Sequence, residues 1–454
     1  MILKRIGYSL LACLAIVTLS GWGAPPQDTH TVYLPLVNRY YLPGYINPFG
    51  VAMYYDVDAA HGTAQMAAAG SGWVVTRFDW KDVEPNPPSV GVHAYNWTSL
   101  DTKVNNARSV GLSVYVLLTG NPSWAAQYEG GPLYAGRMPD LLAFVSAVVA
   151  RYPDVLYWTF YGEPDNGSTY YASRGWGYWG NNGAGYADLL AQLSPTIKAA
   201  NPNAKLLISG LAYDYFAPPD GNGIFVKRFL GDVLQALNAS HGGAMQIIDG
   251  MAFHYYPLAW SSVQAKASEI RGIMSHYGAS QLPVWIPETG LASNLPGYNE
   301  TIQAQMLVKM YVQSLAADVK MMAWLGVFDV NSGNDSIGLF RGTDFNQPKP
   351  SYFAYQVMAR ELYGARYLGA LKVLNAEGYV FQMLDGKTKT VVWGTQTVYA
   401  TNVPFNQTCI SVLGIAGGSP QVITDSGPAD NDGVLNGQVA LVVGPNQPLY
   451  VTGC

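Results

Sequence analysis

Charged side chains are scarce in this sequence. Asp, Glu, Lys and Arg make up 12% of its 454 residues, against ~25% in an ordinary soluble domain. The formal net charge is −5, so there is no basic excess to meet a nucleic-acid backbone. Cysteine is nearly missing, with three in the whole chain. No Cys/His cluster has the spacing of a zinc site, and neither a metal nor a cofactor is expected. Long apolar runs are missing too. The most apolar stretch, Ile6 to Leu19, falls short of the ~20 residues that span a bilayer, so no stable membrane insertion is expected.

That stretch has a different reading. Lys4 and Arg5 precede it and Ser20-Gly-Trp-Gly-Ala24 follows, which is the pattern of a secretory signal peptide over residues 1–24. Leu10-Leu-Ala-Cys13 is a poor lipoprotein box, because the apolar run continues past the cysteine. A Pro- and Tyr-rich linker is expected over 25–46. In an exported chain the remaining pair, Cys409 and Cys454, reads as one disulfide, with two separate buried thiols as the alternative. Asp430-Asn-Asp432-Gly433 is closer to a turn than to a calcium loop, since Pro428 and Val439 stand where ligands belong.

Aromatic residues are plentiful, at 13% with 32 Tyr and 12 Trp. Short apolar runs recur at Phe49–Tyr55, Trp73–Trp80, Ser113–Gly120, Tyr157–Glu163, Lys205–Ala212, Ile248–Tyr256, Val284–Glu288 and Met321–Val330. Amphipathic stretches separate them, among them Leu100–Val110, Leu141–Arg151, Tyr186–Ala200, Val263–Tyr277 and Thr301–Ala317. Eight strands alternating with helices predict an α/β (β/α)8 TIM barrel over 47–366. From Tyr367 the pattern becomes short alternating strands with Gly, Asn and Asp turns, which predicts a small, sandwich-like all-β domain over 367–454.

Two glutamates stand out against this frame. Val155-Leu-Tyr-Trp-Thr-Phe-Tyr-Gly-Glu163-Pro and Pro283-Val-Trp-Ile-Pro-Glu288-Thr-Gly are apolar runs that each end in one carboxylate. A charge at the end of a buried strand is costly unless it is paired. Two of them, on strands four and seven of a barrel, suit a glycosidic bond, where one carboxyl protonates the leaving oxygen and the other attacks or activates the anomeric carbon. The long segment from Asn166 to Gly183, with Trp176 and Trp179 among glycines, would either stack on sugar rings or pack on itself.

With these pieces in barrel order, residues 49 to 451 resemble the clan-A glycoside hydrolases, nearest to families 5 and 39, which include cellulases and β-xylosidases. The resemblance implies a secreted retaining enzyme on a β-glycan or oligosaccharide, with no cofactor. Gly162-Glu163-Pro164 matches the Asn-Glu-Pro motif, making Glu163 the acid/base, and Trp285-Ile-Pro-Glu288-Thr-Gly makes Glu288 the nucleophile. Thr76-Arg77-Phe-Asp-Trp80 resembles the strand-two segment whose arginine bonds the nucleophile; the plainer reading of Arg77 and Trp80 is a buried ion pair and a core aromatic. Phe253-His254-Tyr255-Tyr256-Pro257 resembles the strand-six His-x-Tyr, with Tyr256 orienting Glu288 and a satisfied barrel histidine as the alternative for His254. Asn121-Pro-Ser-Trp124 resembles the loop that walls the cleft, and Trp324 or Phe328 would offer a sugar platform. Gly162 departs from the pattern, because the family carries an asparagine there that binds the sugar 2-hydroxyl. A non-catalytic carbohydrate-binding protein on a degenerate barrel is the rival reading. Nothing in the sequence specifies an oligomeric state.

Overall fold

Apolar runs without alternation are what strands buried on both faces require, and here eight of them close on themselves. The computed structural model describes residues 45–216, 224–329, 336–395 and 399–454. The signal segment, nearly all of the linker 25–46 and the end of the eighth run at Val330 lie outside the described residues. Strands β1 (Phe49–Ala52), β2 (Trp73–Asp79), β3 (Ser113–Thr119), β4 (Tyr157–Phe160), β5 (Lys205–Leu211), β6 (Gly250–Phe253), β7 (Val284–Thr289) and β8 (Val319–Leu325) form a closed barrel in chain order. Their pairing is parallel throughout, with β8 returning to β1.

Each strand's two faces enter different cores. Trp73, Val75, Tyr115, Ala252, Trp285, Met321 and Ala323 pack inside the barrel, while Val74, Phe78, Val116, Met251, Met322 and Trp324 pack outward under the helices. The helices carry matching stripes. Met138–Arg151 buries Leu141, Phe144, Val145, Val148 and Val149, the i, i+3, i+4, i+7 spacing of a single face. Several helix starts are capped in the usual way: side chains of Asn182, Ser262 and Asn299 accept the backbone N–H of Gly185, Ala265 and Ile302.

The N-terminal end of the barrel is plugged by aromatic rings. Trp285 lies 4.5 Å from Tyr157 and 5.7 Å from Trp73, centroid to centroid, and Tyr115 stacks on Tyr157. This end is a packed layer, which leaves the opposite, C-terminal end for chemistry.

After the helix Pro350–Glu361 come strands β9 (Arg366–Val373), β10 (Ala376–Gln382), β11 (Thr388–Gly394), β12 (Ala400–Phe405), β13 (Cys409–Gly414), β14 (Gln421–Thr424), β15 (Val439–Val443) and β16 (Leu449–Gly453). They form a six-stranded sheet, β14-β13-β16-β11-β10-β9, facing a two-stranded one, β12-β15, around Val392, Val403, Ile410, Leu441 and Val443. Cys409 and Cys454 are disulfide-bonded, with Cα atoms 5.5 Å apart, so the pair is one crosslink rather than two thiols. Partly buried polar ties join the sheets to the barrel helices: Lys309 donates to Asn446 at 2.6 Å and Gln313 to Glu377 at 2.9 Å. Among the described residues no helix is long and apolar enough to cross a membrane.

Candidate active site

Strand β4 stops three residues before its glutamate. Tyr161 takes a left-handed backbone at φ 62°, and Glu163 another at φ 50°, both uncommon for bulky residues and frequent at functional sites. The kink is held from several sides. Tyr161 N–H bonds Leu118 O at 2.9 Å, Glu163 N–H bonds Gly210 O at 3.1 Å, and Gly177 N–H bonds Gly162 O at 2.7 Å. On β7 the register shifts between Ile286 and Thr289. Strict alternation from the inward Trp285 would turn Glu288 outward, and such irregularities re-aim side chains beside active sites.

The two glutamates meet at His254. Its Nδ1 lies 2.9 Å from Glu163 Oε1 and 3.7 Å from Glu288 Oε1. One atom of each of the three lies within 4.8 Å of the others. The ring seats itself against Gly210 on β5, where any Cβ would collide with Nε2. Glu288 accepts a hydrogen bond on each oxygen, from Tyr54 on Oε2 and from Tyr256 on Oε1. Both tyrosine hydroxyls are thereby matched to an acceptor.

Burial raises the proton affinity of Glu163; the hydrogen bond and charge of His254 oppose this, and Glu288 adds to it. For His254 burial works the other way, but the charges of Glu288 and Glu163 prevail and push it up to about 8. Burial, then the charge of Glu288, holds the Tyr54 and Tyr256 hydroxyls well above the ordinary tyrosine range, so both remain donors. Asp165, fully buried, is pushed up to about 7 although it accepts two backbone N–H bonds.

The structure thus brings together Glu163, Glu288, His254 and Tyr256, and adds Tyr54. Tyr54 sits just past β1, and its only sequence signal was a polar-tipped aromatic at the C-terminal end of a barrel strand. Arg77 does not reach Glu288. Its Nη2 pairs with Asp79 at 2.7 Å, two residues along the same strand face, and its guanidinium lies 5.4 Å from the Tyr55 ring. Tyr54 and Tyr256 occupy the carboxylate that Arg77 was expected to bond. The ion-pair reading of Arg77 is the one observed.

The other expected site residues each have neighbours of their own. Trp80 is buried, stacked on Phe144 at 5.7 Å, and donates to Glu84. Trp124 donates to Glu84 O at 3.3 Å, packs edge-on against Trp80 and carries Arg137 over its ring. Asn121 donates to Gly131 O and accepts from Tyr161 Oη, which shapes its own loop. Trp324 falls on the outward face of β8, is fully buried and donates to Ile337 O; the inward positions beside it are Ala323 and Leu325. Phe328 joins a cluster with Phe340 and Phe345. In the segment after β4, Trp179 is buried against Tyr161, while Trp176, between Tyr171 and Phe225, stays 37% exposed. At Gly162 a Cβ would meet only Leu117, at 3.2 Å. Asp56, Asp58 and His61 also bring one donor atom each within 4.8 Å, at the surface, where Asp58 already pairs with His61.

No protein-family model matches the sequence, and no curated protein is detectably similar to it. Solved structures are similar in fold. A family 39 glycoside hydrolase from Bacteroides cellulosilyticus superposes with a TM-score of 0.67 at 19% identity, over 90% of this chain and 81% of that one. A family 39 β-xylosidase from Caulobacter crescentus gives 0.56 at 14% identity, over 91% and 96%. The catalytic domain of the family 30 xylanase C from Talaromyces cellulolyticus gives 0.59 at 15% identity, over 90% and 97%. The chain therefore has the fold of family 39 and family 30 glycoside hydrolases, a closed parallel barrel followed by antiparallel sheets.

Proposed function

We propose that this chain is a secreted glycoside hydrolase that cleaves the β-linked bonds of a glycan or oligosaccharide with retention of configuration. The observation that carries this is the spacing of the two carboxylates, whose oxygens lie within 4.8 Å of one another with His254 against both. Retaining enzymes hold their carboxyl groups ~5–5.5 Å apart, whereas inverting ones leave ~6.5–9.5 Å for a water. In this reading Glu163, whose proton affinity burial raises, gives its proton to the leaving oxygen. Glu288 attacks the anomeric carbon, its two oxygens aimed by Tyr54 and Tyr256. Water, deprotonated by Glu163, then releases the sugar. The fold shared with a β-xylosidase and a xylanase supports a β-linked substrate, and the disulfide supports export. The expected division at residues 366 and 367 assigns the chemistry to the barrel and leaves the sheets a supporting part.

One observation favours a second reading. Gly162 has no side chain to hold a sugar hydroxyl beside Glu163, which suits a carbohydrate-binding protein on an inactive barrel. The test is purified protein against a panel of β-glycans and aryl β-glycosides, with products resolved by size and anomeric configuration followed by NMR. The expected result is release of product with its β-configuration retained at first. Tight glycan binding without any product would establish the second reading, and initial α-product would exclude the retaining one.

A further inference from the structure

Next to Glu163 lies a buried pair of charges that the reaction as written does not use. The end of β5 is stitched to the Glu163 segment by three bonds. Glu163 N–H reaches Gly210 O, and Asp165, two residues on, accepts Ala212 N–H at 3.1 Å and Tyr213 N–H at 2.8 Å. From the helix Val263–His276, Lys266 reaches the same stretch with no exposed surface of its own. Its ammonium donates to Ala212 O, lies 3.5 Å from Asp214 Oδ2, and otherwise rests on the rings of Trp260 and Phe253 at 5.7 and 5.8 Å. Asp214 is only 5% exposed. The residues on either side of it, Tyr213 and Tyr215, have φ of 44° and 42°, a costly backbone for tyrosine.

Stability does not explain this arrangement. A buried ion pair folds no better than two apolar side chains of similar shape, and often worse. What the pair does supply is fixed charge close to the groups that exchange protons. The titratable groups around Glu163 are His254 on the β6 side, Glu288 on β7, the Tyr54 and Tyr256 hydroxyls, Asp165 in its own segment, and Asp214 with Lys266 from β5 and its neighbouring helix. Further out, Glu269 meets the Tyr213 hydroxyl at 3.3 Å and Lys227 at 3.6 Å. Of these, Asp214 is bonded to no reacting group, yet its charge is felt at both Glu163 and His254. Lys266 acts in the opposite sense on His254.

We propose that Asp214, held in place by Lys266, is a positioning residue for the acid step, its negative charge keeping a proton on the Glu163–His254 pair when the leaving oxygen has to be protonated. This rests on the glycosidase reading. Asp214 makes loss of that proton harder, because ionising Glu163 or neutralising His254 both leave more negative charge in one buried space. Lys266 holds the end of β5 through Ala212 O and lies beside Asp214, while its own positive charge opposes Asp214 at His254. The two side chains bias the same equilibrium in opposite directions.

The test is the pH profile of kcat/KM on an alkyl β-glycoside, whose leaving oxygen needs the proton, together with the NMR titration of the His254 imidazole. Asp214→Asn keeps shape and removes charge, and is expected to move the basic limb and the His254 titration to lower pH by about 0.5–1 unit. Lys266→Met is expected to move both upward, and Lys266→Arg to restore the wild-type positions. A folded Asp214→Asn protein whose basic limb and His254 titration both stay in place overturns the proposal. If Lys266→Met does not fold, Asp214→Asn decides alone. If the wild-type protein hydrolyses no glycoside, the glycosidase reading fails, while the His254 titration still reports whether Asp214 sets the proton affinity of the pair.

Discussion

Nδ1 of His254 stands 2.9 Å from Oε1 of Glu163. A buried imidazole in that position gains more from its carboxylate neighbours than it loses to burial, and its proton affinity rises from 6.5 to about 8. The folded protein thus binds this proton more tightly than the unfolded chain does. Its contribution to stability is fully present below pH 6.5 and is lost as the pH climbs through 8. His254→Gln is expected to flatten the fall in melting temperature between those values. An identical fall in wild type and variant would show that the imidazole is not charged in the folded protein.

Removing the two carboxylates should have different signatures. Glu288→Ala is expected to abolish hydrolysis, with azide restoring turnover of an activated glycoside and giving the product of opposite anomeric configuration. Glu163→Ala should spare aryl glycosides with good leaving groups and cripple alkyl ones, since only the latter need protonation. Equal losses on both substrates would remove Glu163 from the acid role, and near-normal activity in Glu288→Ala would remove Glu288 as nucleophile.

Tyr54 and Tyr256 each donate to one oxygen of Glu288. A hydrogen bond to a charged group is worth ~1.5–3 kcal/mol, so Tyr54→Phe or Tyr256→Phe should each lower kcat by about 10- to 100-fold. KM should move little, because the substrate's own contacts are untouched. Steady-state kinetics would decide it. Full activity in Tyr54→Phe would leave Tyr256 as sole support of the carboxylate, while Arg77→Lys is expected to be mild because Arg77 serves Asp79 instead.

The Cys409–Cys454 crosslink fastens the last residue to the start of β13 across 45 positions. Its loss in Cys409→Ser/Cys454→Ser should cost about 2–4 kcal/mol, seen as a lower denaturant midpoint for the sheet tryptophan Trp393. Two free thiols titrating in denatured, unreduced wild-type protein would contradict the crosslink.

Much of the site was legible because strand order carries it. Glu163, Glu288, His254 and Tyr256 lie at or just past strand ends, and a barrel gathers such positions at one mouth. The misses have separate causes. Trp324 and its neighbours differ only in which face of a strand they occupy, and a one-residue change of parity exchanges cleft for core. Arg77 failed differently: Asp79 is two residues away on its own strand and competes with any partner across the barrel. Trp80, fully buried, lies past a strand end, where alternation no longer predicts direction.

Composition and periodicity by themselves determined the closed alternation of strands and helices, the all-β segment after it, the two carboxylates at strand ends and the even pair of cysteines. These are local or countable properties, written in runs of about seven residues and their order. Only the tertiary structure decided what lies against what. The left-handed turns at Tyr161 and Glu163, the shifted register before Thr289, the seating of His254 on Gly210 and the reach of Tyr54 to Glu288 all depend on contacts between strands far apart in the chain. So does the burial of Lys266 beside Asp214. A side chain's partner is set by which neighbour wins the competition for its donors and acceptors, and that competition exists only once the barrel has closed.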